Sequence, residues 1–167
     1  MRENGLGITC ADGYPLSAQV FQPQSPARGA IVIAGALGVP ARFYAVYAKF
    51  LAEQGYAVLT FDYRGSGASA HGPQRGRDMR MDEWGRLDIE AVLGFAQREL
   101  QAKKLFLVGH SAGGQLPGLA PSSEKLSGLI LVAASAPHVR HYPPRSWVKL
   151  LLTWYVLGPL LSLGRDN

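Results

Sequence analysis

Cysteine is almost missing from this sequence: Cys10 stands alone among 167 residues. A single thiol forms no internal disulfide and makes a poor start for a thiolate metal site. A stapled secreted scaffold and a zinc ribbon are therefore both excluded. Residues 1–12 carry no apolar run of the kind a secretory leader needs, and with the lone thiol this fits a cytoplasmic protein. Internal repeats and low-complexity tracts are absent. Charge is sparse, at 17% of residues against 47% apolar, a balance that builds a packed core and not a disordered chain.

Basic runs are lacking too. The net charge is +5, yet no five basic residues follow one another. The densest group, Arg75, Arg77 and Arg80, is interleaved with Gly76, Asp78 and Asp82 and not with aromatic rings. Bases would find nothing to stack on there. The stretch reads as a solvated loop, and nucleic acid is not an expected partner.

What is present is an alternation of strand and helix signals. Residues 8–10 and 16–21 are short β-like pieces joined by a turn at Asp12 and Gly13. Residues 29–34, 56–61, 105–108 and 126–133 are continuous apolar runs, as in strands buried on both faces. Between them, 41–54 reads as a helix with Phe43, Val46, Tyr47, Phe50 and Leu51 on its apolar face. A second helix over 82–100, capped by Asp82, presents Trp84, Leu87, Ala91, Val92 and Phe95. The expected fold is three-layer α/β, with a mostly parallel sheet and antiparallel N-terminal strands.

One motif carries chemistry. Gly109-His110-Ser111-Ala112-Gly113 is a G-x-S-x-G, which alone arises by chance in roughly one chain in six of this composition. Its context is more specific: it follows a buried strand and opens a helix, the setting of a nucleophile elbow. The turn strains the serine backbone, and the glycines on either side let neighbouring segments pass close by. The N–H of Ala112 then faces a developing oxyanion. A second donor is expected from the glycine-bearing loop after the first parallel strand, 35–38: the N–H of Ala36, with Leu37 as the alternative. The competing reading is a plain strand-to-helix turn.

The succession of the 34–38 loop, Phe61-Asp62-Tyr63-Arg64-Gly65-Ser66-Gly67-Ala68-Ser69 and the 109–114 elbow resembles the α/β-hydrolase superfamily. It is most similar to a bacterial branch near the serine aminopeptidase and monoacylglycerol lipase-like group. The resemblance covers about residues 5–137, as the N-terminal part of the core, with 138–167 as the beginning of a cap. It implies Ser111 as nucleophile, Ala36 and Ala112 as oxyanion donors, and a small acyl substrate such as an ester or thioester. It implies no cofactor and no metal, and it makes Asp62 and Arg64 loop-fixing residues, with Asp62 not the catalytic acid. Pro117 departs from the pattern and predicts a short or kinked helix after the elbow. In the superfamily the acid and histidine follow the cap, so the triad is expected to be incomplete here.

A serine needs a base with an orienting partner. Of the four histidines, His110 adjoins Ser111 but points away from it, and His71 reads as a surface loop residue. His138 and His141 leave the sheet on the active edge, without an acid nearby; the last acid is Asp166. The apolar stretch 147–163 reads foremost as a cap helix. It is short for a membrane span and broken at Gly158 and Pro159. Left uncovered, it would drive self-association. The resulting functional reading is a serine hydrolase of esterase or lipase type. Two alternatives stand beside it: a catalytically inactive fragment or half of a split assembly, and an acyltransferase on the same fold.

Overall fold

The computed structural model describes residues 2–71, 79–100, 102–136 and 139–157. Arg75, Arg77, His138, Asp166 and the stretch 158–163 lie outside the described residues. The chain divides into two compact units, Met1–Ser135 and Ala136–Asn167.

The first unit is built on six strands in the order β1-β2-β4-β3-β5-β6. β1 (Arg2–Thr9) and β2 (Pro15–Gln22) form an antiparallel hairpin that turns through Gly13 at φ 84°. Polar Arg2, Glu3 and Asn4 hide most of β1 from an apolar-pattern reading, although they pair with Gln22, Phe21 and Val20. β2 also runs antiparallel to β4 (Tyr56–Phe61). β3 (Gly29–Ala34) lies parallel between β4 and β5 (Leu105–His110), and β5 pairs in parallel with β6 (Gly128–Val132). The three inner parallel strands are covered on both faces, which is why their sequences are unbroken apolar runs. Val32, Leu59 and Leu107 face one core and Ile31, Ile33, Val58 and Val108 the other.

α1 (Ala45–Glu53) covers the second of these cores, entered through a 3₁₀ turn over Ala41–Tyr44. Its buried side is not the expected one. Tyr44, Ala48 and Ala52 pack inward, while Phe43, Val46, Tyr47 and Phe50 are exposed and Leu51 is half-buried. The alanines let the helix lie close on the sheet, so packing distance and not side-chain size selected the inner face.

The crossover on the other face starts with one α-turn, α2 (Met81–Glu83), passes through a π-helical segment over Trp84–Ile89 and ends as α3 (Glu90–Glu99). Asp82 lies inside the first turn and Arg80 holds the cap position, its N–H donating to Glu83 Oε2 at 3.3 Å. The wider π turn shifts the helical phase. Beyond Trp84 the buried residues are Gly85, Asp88, Ile89, Val92, Leu93, Ala96 and Leu100, with Leu87, Ala91 and Phe95 half-buried against the same core. After the elbow, α4 (Ala112–Gln115) lasts one turn and gives way to 3₁₀ turns beginning at Pro117 and Pro121. That is the shortening expected of Pro117.

In the second unit, a 3₁₀ turn over Val139–His141 precedes α5 (Pro144–Leu152), which continues as a π turn over Thr153–Leu157. Among the described residues no helix is long and apolar enough to cross a membrane.

Candidate active site

The register of the sheet sets the site. Ala34 of β3 pairs with Gly109 of β5, so the two parallel strands end side by side. The loop that follows each therefore leaves the same edge, where the unsatisfied ends of parallel strands commonly form ligand sites.

Ser111 is at φ 51° and ψ −114°, a conformation that disfavours side chains other than glycine. Its N–H donates to the Val132 carbonyl of β6 at 2.9 Å, and its carbonyl accepts from Gly114 N–H at 3.0 Å. The flanking glycines are sterically required. A Cβ on Gly109 would meet Gly114 Cα at 2.5 Å, and one on Gly113 would overlap the Ala34 carbonyl. The serine is half-buried and Ala112 is buried beside it. This is the strained strand–turn–helix geometry read from the motif.

Facing it, the 35–38 loop closes with Val39 N–H donating to the Ala36 carbonyl at 3.1 Å, and Gly38 takes φ 73°. The Ala36 N–H already has a partner: it donates to Tyr44 Oη at 2.8 Å. The same hydroxyl lies 2.9 Å from His110 Nδ1. Burial raises the Tyr44 phenol above its ordinary range, with the Ala36 N–H acting in the opposite sense, so it is neutral at physiological pH.

The remaining polar residues fasten the loops. Asp62 accepts from Ala41 N–H at 2.7 Å on Oδ1 and from Ala68 N–H at 2.9 Å on Oδ2. Both carboxylate oxygens thus hold backbone, as the resemblance implied. Arg64 donates from Nε to Asp88 Oδ1 and from Nη1 to Asp12 Oδ2, each at 2.7 Å, and its own N–H bonds Asp88 Oδ2 at 2.9 Å. Hydrogen bonds from Arg64 hold the Asp12 carboxyl below its usual range. Burial first, then the charge of Asp88, pushes the Cys10 thiol up to about 12, which leaves it protonated and unreactive.

Of the histidines, His110 is engaged by Tyr44, and His71 Nε2 lies 3.2 Å from the Pro15 carbonyl. His141 sits in the second unit. Three residues were not foreseen as part of this region: Tyr44, Asp88 and Asp12. Among the described residues no group of three or more His, Cys, Asp or Glu could hold a metal ion.

A mostly parallel sheet crossed by helices on both faces, with a strained serine elbow at the edge where two inner parallel strands end, defines an α/β hydrolase. Residues 25–161 match the family model described as serine aminopeptidase, S33, and the chain belongs to that family. Solved structures share the fold. A highly thermostable carboxyl esterase from Bacillus coagulans is 24% identical with a TM-score of 0.67, over 99% of this chain and 52% of its own. The α/β hydrolase GrgF from Penicillium sp. sh18 is 20% identical with a TM-score of 0.69, over 84% and 50%. An esterase from Exiguobacterium antarcticum is 24% identical with a TM-score of 0.64, over 84% and 50%. The chain spans about half the length of these proteins.

Proposed function

We propose that the chain carries the nucleophile half of a serine acyl hydrolase acting on a small carboxylic ester, thioester or related acyl group. The observation that supports this most is the Ser111 backbone. Holding a non-glycine residue in such a conformation costs about 1–3 kcal/mol, and it is held at the carboxyl end of an inner parallel strand. In the proposed reaction Ser111 Oγ passes its proton to a base and bonds to the carbonyl carbon. The carbonyl electron pair moves to oxygen, and the oxyanion is met by the Ala112 N–H and, because Tyr44 Oη holds the Ala36 N–H first expected in this role, by the Leu37 N–H of the same loop. Collapse expels the alcohol or thiol and leaves an acyl-serine, which water cleaves. With α4 only one turn long, individual amides and not a helix dipole do the stabilising.

Asp62, His71 and His110 are assigned structural roles, since their polar atoms hold loops. By the family resemblance the base is a histidine that follows the cap, and neither His138 nor His141 is assigned that role. A second reading, an inert half of a split assembly, is supported by the engagement of His110 with Tyr44 and of His71 with the Pro15 carbonyl. Incubation with p-nitrophenyl acetate separates the two. The hydrolase reading expects a nitrophenolate burst and an acetyl adduct on the peptide holding Ser111, both lost in Ser111→Ala. No burst and no adduct would support the inert half, and ester products on adding an alcohol would redirect the reading to acyl transfer.

A further inference from the structure

The polar atom that joins the two halves of this site belongs to neither motif. Tyr44 comes from the 3₁₀ turn before α1. Its hydroxyl accepts the Ala36 N–H at 2.8 Å and meets His110 Nδ1 at 2.9 Å. Ala36 lies on the loop after β3, and His110 is the last residue of β5, directly before Ser111. One oxygen therefore bridges the predicted oxyanion loop and the elbow.

The surroundings are shaped to keep it there. A Cβ on Gly35 would come within 2.9 Å of Tyr44 Cε2, so the glycine is what lets the ring lie against the loop. The ring is buried, stands edge-on to His110 at 6.0 Å and to Phe43 at 5.3 Å, and belongs to the core beneath α1. A phenol hydroxyl has one proton and two lone pairs, so it can take the amide proton and still exchange a hydrogen bond with the imidazole.

We propose that Tyr44 is a positioning residue of the oxyanion site, its hydroxyl fixing the Ala36 loop against the His110–Ser111 elbow. The inference rests on the hydrolase reading for its catalytic consequence, but not for the bridge itself. An oxyanion donor works only where it is placed in advance, and a misplacement of about 1 Å costs on the order of 10²-fold.

The test has two arms on the full chain. In ¹⁵N-labelled protein, Tyr44→Phe and His110→Ala are each expected to shift the Ala36 amide, and the double variant to add nothing beyond Tyr44→Phe. Amides of Ile31 to Ile33 report that the sheet is intact. An Ala36 amide unmoved by Tyr44→Phe, or strictly additive shifts, would overturn the bridge. In the second arm, Tyr44→Phe is expected to slow phosphonylation of Ser111 by a fluorophosphonate about 10- to 100-fold. The loss should fall in the covalent rate constant and not in probe affinity, a split that loosened packing alone would not produce. Labelling at the wild-type rate would overturn the positioning role. If the wild-type chain does not label, the hydrolase reading fails, and the amide shifts alone decide the bridge.

Discussion

Arg64 commits both sides of its guanidinium to carboxylates, Asp88 within the core and Asp12 at its margin. Its side chain is only 3% exposed and that of Asp88 is fully buried, so removing either partner strands a charge in the interior. Arg64→Ala is expected to destabilise the chain by about 3–5 kcal/mol in urea unfolding. Arg64→Lys should recover only part of this, because an ammonium cannot span two acids as a planar fork does. The pair with Asp12 also has a pH signature. The folded-state pKa of Asp12 is depressed, so its stabilising contribution is present above the unfolded carboxylate value and fades as pH falls through the folded one. An acid titration of stability should show that slope in the wild type and lose it in Arg64→Ala. At this scale the sequence was legible where geometry is local. Ser111, Gly109 and Gly113 share five consecutive positions, and Asp62 reaches Ala68 six residues on. Tyr44 was not legible, because its partner His110 lies 66 positions away and nothing in a run of aromatic residues marks one hydroxyl as a bridge.

Elements were read well where burial is total and less well where a helix chooses a face. β3 and β4 match the apolar runs residue for residue, since a strand covered on both sides leaves no phase to misjudge. In α1 size misled: the large residues project outward and the alanines inward. Substitution separates the two faces. Val46→Gln and Phe50→Gln are expected to change thermal stability by less than about 0.5 kcal/mol, whereas Ala48→Leu should cost about 1–3 kcal/mol by overpacking the sheet contact. The opposite ranking would restore the amphipathic reading. In the second crossover the expected face does meet the core, Trp84 and Val92 buried and Leu87, Ala91 and Phe95 packed against it at half burial, but Asp88 and Leu93 were not foreseen there. The π segment over Trp84–Ile89 breaks the 3.6-residue phase and turns Asp88 inward to receive Arg64, and no sequence periodicity encodes that insertion. Pro117 was legible for the opposite reason, since a missing N–H acts wherever the residue falls.

For the molecule as a whole, the outstanding feature is an apolar margin. β6 ends the sheet, pairing with β5 on one side, and Leu129, Ile130, Leu131 and Val132 are 45–55% exposed. Successive residues of a strand point to opposite faces, so both faces of β6 are open, unlike those of the inner strands. In the second unit, taken by itself, α5 exposes Val148, Leu151 and Leu152. An open apolar edge strand templates pairing between copies. The chain is expected to self-associate, and Ile130→Lys to reduce this more than Leu151→Lys in light scattering. If Leu151→Lys has the larger effect, the 147–163 stretch is the sticky surface instead.

The central claim is that Ser111 is a nucleophile and not a residue in a tight turn, and intact-mass analysis after exposure to a fluorophosphonate tests it most directly. The account predicts a single phosphonyl adduct on the peptide that contains Ser111, absent from Ser111→Ala and from the urea-unfolded wild type. A folded wild-type chain that stays unmodified, or an adduct that persists in Ser111→Ala, would contradict it.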